Sequence, residues 1–107
     1  MDRLLGLISL AQKAGRAKNG AEQAMAFARA GKVRLLILAV DASENTRRAV
    51  LNLSHYYKID LIERYTKGEL ASISRRDETA VIGIADAGFA KRIKELNAAM
   101  PKEGVSG

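Results

Sequence analysis

The feature that most constrains the fold is an uninterrupted apolar run at residues 35–40, bounded by Arg34 and Asp41. A strand without a polar side chain needs cover on both faces, and helices packed on each side of a sheet supply it. A second buried strand is predicted at 79–85, with Gly83 at its middle. The sequence therefore predicts an α/β protein, a three-layer α/β/α sandwich around a small mixed four-stranded sheet.

Segments with apolar residues at helical spacing alternate with extended segments along the whole chain. Gly15 and Gly31 are expected to end the first two helices, and the turn at 41–45 to open the third. Predicted helices cover 2–14, 20–30, from that turn to 57, 67–74 and 88–100, and predicted strands cover 16–18, 35–40, 59–65 and 79–85.

The composition indicates one domain and excludes several kinds of chemistry. With 107 residues, 48% of them hydrophobic, we expect a single domain at 1–100 and a flexible tail at 101–107. The chain has no cysteine and one histidine, His55, which excludes disulfides, thiolate catalysis and the common zinc sites. No cofactor, metal or membrane partner is expected. The sequence shows no signal peptide and no long apolar run, so we expect the chain to be cytoplasmic. We also expect it to be a monomer.

Basic residues are concentrated between positions 13 and 34. This segment has one acid, Glu22, and six basic residues: Lys13, Arg16, Lys18, Arg29, Lys32 and Arg34. Its excess of +5 accounts for most of the net charge of +6 on the whole chain. Within it, residues 17–24 read as a cationic loop entering a helix, and a helix N-terminus favours anions. The segment predicts a site for a phosphate-bearing partner, most naturally a nucleic acid.

The start of the second helix has two compatible interpretations. Asn19 could cap the helix while Glu22, three residues on, returns a hydrogen bond to it in a capping box. Gly20 could be a position that a ligand approaches closely, or simply a small residue at a helix start. Arg16 and Lys18, two apart on an extended segment, should point the same way.

Other polar residues are weaker candidates. Arg75 and Arg76 form a basic pair that alone is more typical of a solvated loop, and their weight as a binding site rises only if the fold brings them beside Gly20. Asp41 and Asp86 follow apolar strands, where catalytic carboxylates occur, but helix capping is the preferred interpretation. The sequence lacks the glycine-rich motifs of nucleotide enzymes, and we expect no enzymatic activity.

Four segments together resemble a known family: 5–15, 19–22, 37–46 and 86–90. They are similar to the bacterial YlxQ-type branch of the kink-turn-binding ribosomal-protein superfamily, which includes archaeal and eukaryotic large-subunit proteins. The resemblance covers residues 3–98. It implies an α/β/α sandwich that binds RNA and has no enzymatic activity of its own.

The resemblance also implies where RNA would bind. The superfamily uses a Gly-x-Asn-Glu motif at the second helix, with the loops after the central strand and before the last strand. Gly20 matches the motif glycine, whereas Glu22 and Gln23 occupy the Asn and Glu positions. Ala26 and Val40 stand at a usual lysine and a usual acid. The expected RNA-binding residues are Arg16, Lys18, Asn19, Gly20, Glu22, Gln23, Asp41, Ser74, Arg75 and Arg76.

The function expected from these observations is non-catalytic binding of structured RNA through a basic face at the second helix. Ribosomal RNA is the first expectation, with a kink-turn-like element as a candidate and the ribosome as a candidate partner. The alternative is a protein-interaction module that docks a ribosome-associated or translation factor, in which the positive charge only steers the encounter.

Overall fold

A computed structural model describes residues 2–75 and 78–101 of the protein. Arg76 lies outside the described residues, and so does the predicted tail at 101–107 apart from Pro101. None of the helices in the described ranges is long and apolar enough to span a bilayer. The elements in chain order are α1 Arg3–Lys13, β1 Ala17–Asn19, α2 Ala21–Arg29, β2 Leu35–Leu38, α3 Glu44–Tyr57, β3 Asp60–Glu63, α4 Lys67–Ser74, β4 Val81–Ile84 and α5 Ala87–Ala99.

The four strands form one mixed sheet in the order β1-β4-β2-β3. Strands β2 and β3 are parallel, with Leu36 opposite Leu61, and β4 is antiparallel to both of its neighbours. As a result β1, β2 and β3 all run in the same direction. Their last residues meet at what we call the carboxyl edge, beside the start of β4, and their first residues meet at the amino edge.

Helices cover both faces of the sheet, as the apolar run at 35–40 predicts. All four residues of β2 are buried. Leu35 and Ile37 pack in the core formed with α1, α4 and α5, while Leu36 and Leu38 pack in the core formed with α2 and α3. The predicted three-layer α/β/α sandwich is confirmed.

Gly83 allows α2 to approach the sheet closely. A Cβ atom at this position of β4 would lie 3.2 Å from Val33 Cγ2 and 3.4 Å from Ala24 Cβ. Both contacts are at or below ordinary van der Waals distance, so a larger residue would push the start of β2 or α2 away. The glycine in the middle of the predicted strand thus has a packing role.

Polar side chains set several helix starts. Asp86 caps α5 by accepting a hydrogen bond from Phe89 N–H at 2.8 Å, as predicted. Asp41 does not cap α3, because Ser43 holds that position and its hydroxyl accepts from Thr46 N–H. The carboxylate of Asp41 accepts instead from the backbone N–H of Lys67, at the start of α4, at 2.8 Å.

Candidate nucleic-acid interface

Four loops are tied together at the carboxyl edge. Gly20 N–H donates to the Val81 carbonyl at 2.8 Å, and Ala39 N–H donates to the Ala80 carbonyl at 2.8 Å. Two further backbone bonds join the same loops, from Val40 to Tyr65 at 2.8 Å and from Thr79 to Lys67 at 3.3 Å. The loop after β2 and the loop before β4 therefore lie beside the start of α2, as the family resemblance implied.

The start of α2 differs from the predicted capping box. Gly20, and not Asn19, is the N-cap residue, with φ 93° and ψ 148°, and it offers no capping side chain. Asn19 is the last residue of β1, and its side-chain amide forms a reciprocal hydrogen-bonded pair with the amide of Gln12 on α1. The predicted capping box of Asn19 and Glu22 is therefore wrong. The backbone pairing of β1 with β4 places Asn19 in the sheet, one residue too early to cap.

Among the five helices in the described residues, α2 alone begins without a capping side chain. The first N–H groups of a helix have no partner within it, and the positive end of the helix dipole lies there. Glu22 and Gln23 are both exposed in this first turn. The amide of Gln23 can donate and accept hydrogen bonds, which suits it to base edges.

An open cleft of about 410 Å³ lies at the start of α2, and Lys67 is one of its lining residues. Its ammonium group is 3.6 Å from the carboxylate of Glu78, and its backbone N–H is held by Asp41. One residue thus connects the loops after β2 and β3 and the loop before β4. The cleft is lined by Asn19, Gly20, Ala21, Glu22, Gln23, Lys67, Glu78 and Ala80.

A second open cleft, of about 420 Å³, lies between α1 and the end of α4. The Gln12–Asn19 amide pair separates the two clefts, because Gln12 lines this one and Asn19 lines the other. Arg75 is exposed at its rim, whereas the hydroxyl of Ser74 is engaged with the Leu70 carbonyl at 3.0 Å. The lining residues are Ser9, Gln12, Lys13, Ile73, Ser74 and Arg75.

The basic segment at 13–34 is not concentrated at Gly20, contrary to the sequence prediction. Arg16 precedes β1 at the amino edge, where its side chain lies 3.9 Å from Asp86. Since a strand rises about 3.3 Å per residue, Arg16 is about 13 Å from Gly20. Lys18 lies between the two edges, with its ammonium group 4.6 Å from the centre of the Phe27 ring. Arg34 is also at the amino edge, where its N–H donates to the Ile84 carbonyl.

Sequence reasoning missed Lys67, Gln12 and Glu78. Lys67 was readable as the first residue of a helix following a predicted strand, a place where ligands bind in parallel sheets. Gln12 and Glu78 had no comparable signal, because their positions depend on how α1 and the loop before β4 pack.

A buried network supports the loop between β3 and α4. The Tyr65 hydroxyl donates to Asp2 Oδ1 at 2.7 Å, and the same oxygen accepts from Leu5 N–H at 2.8 Å. Burial of the Tyr65 hydroxyl, followed by its bond to Asp2, raises the pKa of the phenol. Burial acts to raise the pKa of Asp2, but its two hydrogen bonds and the nearby Arg64 charge outweigh that effect, and the pKa lies below its ordinary value.

Arg64 is 5% exposed and extends the same network to the other end of the domain. It donates to the side chain of Asn97 at 3.0 Å and to the carbonyl of Pro101 at 2.7 Å. The loop that carries Lys67 is therefore connected to residues near both ends of the described chain.

The comparison with known proteins agrees with this architecture. A model of the ribosomal protein L7Ae/L30e/S12e/Gadd45 family matches residues 2–94. The chain belongs to this family. Two curated members are similar to it, both named RNA-binding protein YlxQ. The Enterococcus faecium protein is 37% identical over 88% of this chain and 90% of its own length. The Bacillus subtilis (strain 168) protein is 27% identical over 84% and 90%.

Solved structures of the family's fold superpose on the chain. A protein of unknown function from Bacillus halodurans C has a TM-score of 0.85 at 30% identity, covering 90% of this chain and 97% of its own. The 15.5 kD RNA-binding protein of Giardia lamblia has a TM-score of 0.75 at 20% identity, covering 91% and 87%. The second likeness concerns the fold alone.

Proposed function

We propose that the protein binds structured RNA through the carboxyl edge, without catalysis of its own, in the cytoplasm. Its family membership and the names of the two curated relatives support RNA as the ligand. The observation that carries the proposal is the uncapped start of α2, open to a cleft where four loops converge. We propose ribosomal RNA as the ligand, and a kink-turn-like element within it as the structure that is bound.

Two kinds of RNA contact are proposed at the carboxyl edge: contacts to base edges, which give specificity, and contacts to phosphates, which give affinity. Neutral groups that can both donate and accept, above all the Gln23 amide, are suited to read base edges. The backbone at Gly20 has no side chain, so a nucleotide can approach it closely. Glu22 repels phosphate, so it favours a base edge with donor groups at its position.

Cations at the rims of the clefts are proposed to hold phosphates. Arg75 and Lys13 line the cleft beside α1, and Lys67 lies in the cleft at Gly20. Because Lys67 already faces Glu78, we assign the stronger phosphate contact to the exposed Arg75. Arg16 lies at the other edge and has no part in this contact, and Arg76 lies outside the described residues.

The test is filter binding of hairpin RNAs that differ only in their internal loop: a kink-turn, a symmetric loop and an uninterrupted duplex. Arg75→Ala should weaken binding to every hairpin by about tenfold, the loss of one charged hydrogen bond. Gln23→Ala should reduce the preference among hairpins, by up to about tenfold, because a base-edge contact specifies sequence and a phosphate contact does not.

Arg92→Ala is the matched control, since Arg92 is exposed on α5, away from the carboxyl edge. It should leave binding unchanged. Equal losses for all hairpins from both Gln23→Ala and Arg75→Ala would contradict the division of roles. Binding by no hairpin, with the wild-type protein folded, would rule out the proposed function itself.

A further inference from the structure

A third open cleft lies at the amino edge, away from the proposed RNA surface. It has a volume of about 310 Å³ and lies between the ends of α2 and α3. Arg34, at its rim, is separated from Val40 at the carboxyl edge by the length of β2, about 20 Å at 3.3 Å per residue. The lining residues are Ala28, Gly31, Val33, Arg34, Tyr57, Lys58, Ile59 and Asp60.

The charge of this cleft is positive. Arg34 and Lys58 are exposed, and neither forms an ion pair with a carboxylate in residues 2–75 and 78–101. The one acid in the lining, Asp60, is engaged by Lys94 at 2.7 Å. Two cations without a carboxylate partner thus face the same opening.

The ends of α2 and α3 reduce this potential without reversing it. Each helix C-terminus carries about half a negative charge. Backbone hydrogen bonds already satisfy carbonyls at both ends, from Lys32 N–H to Phe27 and from Ile59 N–H to Ser54, each at 2.9 Å. Two full positive charges therefore exceed the partial charges of the two helix ends, and the cleft favours an anion.

The walls of the cleft suit the flat face of a ring. Ala28 and Val33 are buried at its floor, and Tyr57 is 40% exposed at its side. Tyr56 contacts Tyr57 edge to face, with ring centres 4.8 Å apart. An aromatic side chain next to paired cations is the combination that binds the bases and backbone of single-stranded nucleic acid.

We propose that the amino-edge cleft binds an unpaired nucleotide of RNA, with the base against Tyr57 and the phosphate between Arg34 and Lys58. A single ring and a single cation pair accommodate one nucleotide, whose base must be out of a duplex to stack. An acidic peptide would satisfy the cations but would leave Tyr57 and the apolar floor without a matching group. This site is separate from the carboxyl edge and does not require the function proposed there.

Fluorescence anisotropy with a short, labelled oligouridylate tests the proposal, because this RNA has no structure for the carboxyl edge to recognise. Tyr57→Ala should weaken binding by about tenfold or more, and Tyr57→Phe should restore it, since the ring stacks and the hydroxyl does not. Arg34→Ala combined with Lys58→Asn should produce a similar loss. Asparagine is chosen because Lys58 has a φ of 57°, a conformation that asparagine tolerates.

Arg92→Ala is the control and should leave oligouridylate binding unchanged. Failure of the Tyr57 and Arg34/Lys58 variants to weaken binding, with their folds intact by circular dichroism, would overturn the proposal. So would equal affinity for polyglutamate, which indicates an acidic protein partner, or for free uridine monophosphate, which indicates a small-molecule site. If hairpins without overhangs do not bind but oligouridylate does, the function proposed for the carboxyl edge fails and this one stands.

Discussion

Gly20 shows how one backbone conformation creates the surface at the start of α2. With φ 93° and ψ 148°, the residue turns the chain directly from β1 into α2 while its N–H bonds to Val81. This region of the backbone map is almost restricted to glycine. Any other residue would impose strain where the loops converge, so the glycine matters for the backbone path as well as for close approach of a ligand.

We expect Gly20→Ala to destabilise the protein by about 1–3 kcal/mol, the cost of holding an alanine in a glycine-only conformation. Urea unfolding measures the effect. Gly68→Ala is the matched control at the same edge. A Cβ atom there meets only Thr66 Oγ1, at 3.9 Å, within α4. That change should stabilise the protein by about 0.5–1 kcal/mol. If Gly20→Ala left the free energy of unfolding unchanged, the strain would have to be relieved by movement of the loop.

At the scale of elements, the start of α1 is coupled to the loop between β3 and α4. Asp2 caps α1 through Leu5 N–H and accepts the Tyr65 hydroxyl at the same time. A single carboxylate therefore holds a helix start and a loop distant in sequence. The carboxylate form makes both contacts well, which is why hydrogen bonding lowers the pKa of Asp2 despite its partial burial.

Asp2→Ala should cost about 2–4 kcal/mol in urea unfolding, the sum of a lost cap and an unpaired Tyr65 hydroxyl. Asp2→Asn retains an acceptor oxygen for both and should cost much less. The pKa of Asp2 is below its ordinary 3.8 when folded, so its charged form stabilises the fold fully above that pH. As the pH falls through the folded-state pKa, the advantage of wild type over Asp2→Asn should vanish. A pH-independent difference would contradict this.

Helices and strands could be predicted from the sequence where neighbouring residues determine them. The residues that join one element to the next could not, because their positions depend on contacts far along the chain. The run at 35–40 predicts β2 correctly because burial on both faces removes every polar residue from the strand. The chemistry of Asn19 suits a helix cap, but pairing with β4, far along the chain, keeps it in β1. Lys67 is recognisable in the sequence as a helix start after a strand, but its place beside Gly20 depends on the strand order.

On the scale of the whole molecule, the sheet separates two surfaces that the sequence presents as one basic segment. Lys13 lies near the carboxyl edge, Lys18 lies between the edges, and Arg16 and Arg34 lie at the amino edge. Arg16 and Arg34 share the amino edge because each comes just before a strand, β1 or β2, that begins there. Net charge alone predicts a polyanionic partner but not how many contacts it makes.

The dependence of affinity on salt should therefore reveal the two surfaces. If about four phosphates of a structured RNA are neutralised, the slope of log affinity against log salt should be about −3 to −4. A single-stranded overhang should make the slope steeper by about 1 to 2, and the Arg34→Ala, Lys58→Asn variant should abolish that increment alone. Nitrocellulose filter binding over a range of salt gives both slopes, and an affinity independent of salt would contradict phosphate contact at either edge.

Arg64 and Tyr65 have a consequence for how the domain opens. These adjacent residues hold Pro101 and Asp2 respectively, so neither end of the described chain can fray without loosening the loop that leads to Lys67. Local opening is usually independent at chain ends, but here both ends belong to the cooperative unit that shapes the carboxyl edge. A partner or fused domain that pulls on one end would alter the geometry of the carboxyl edge without touching the surface proposed to bind RNA.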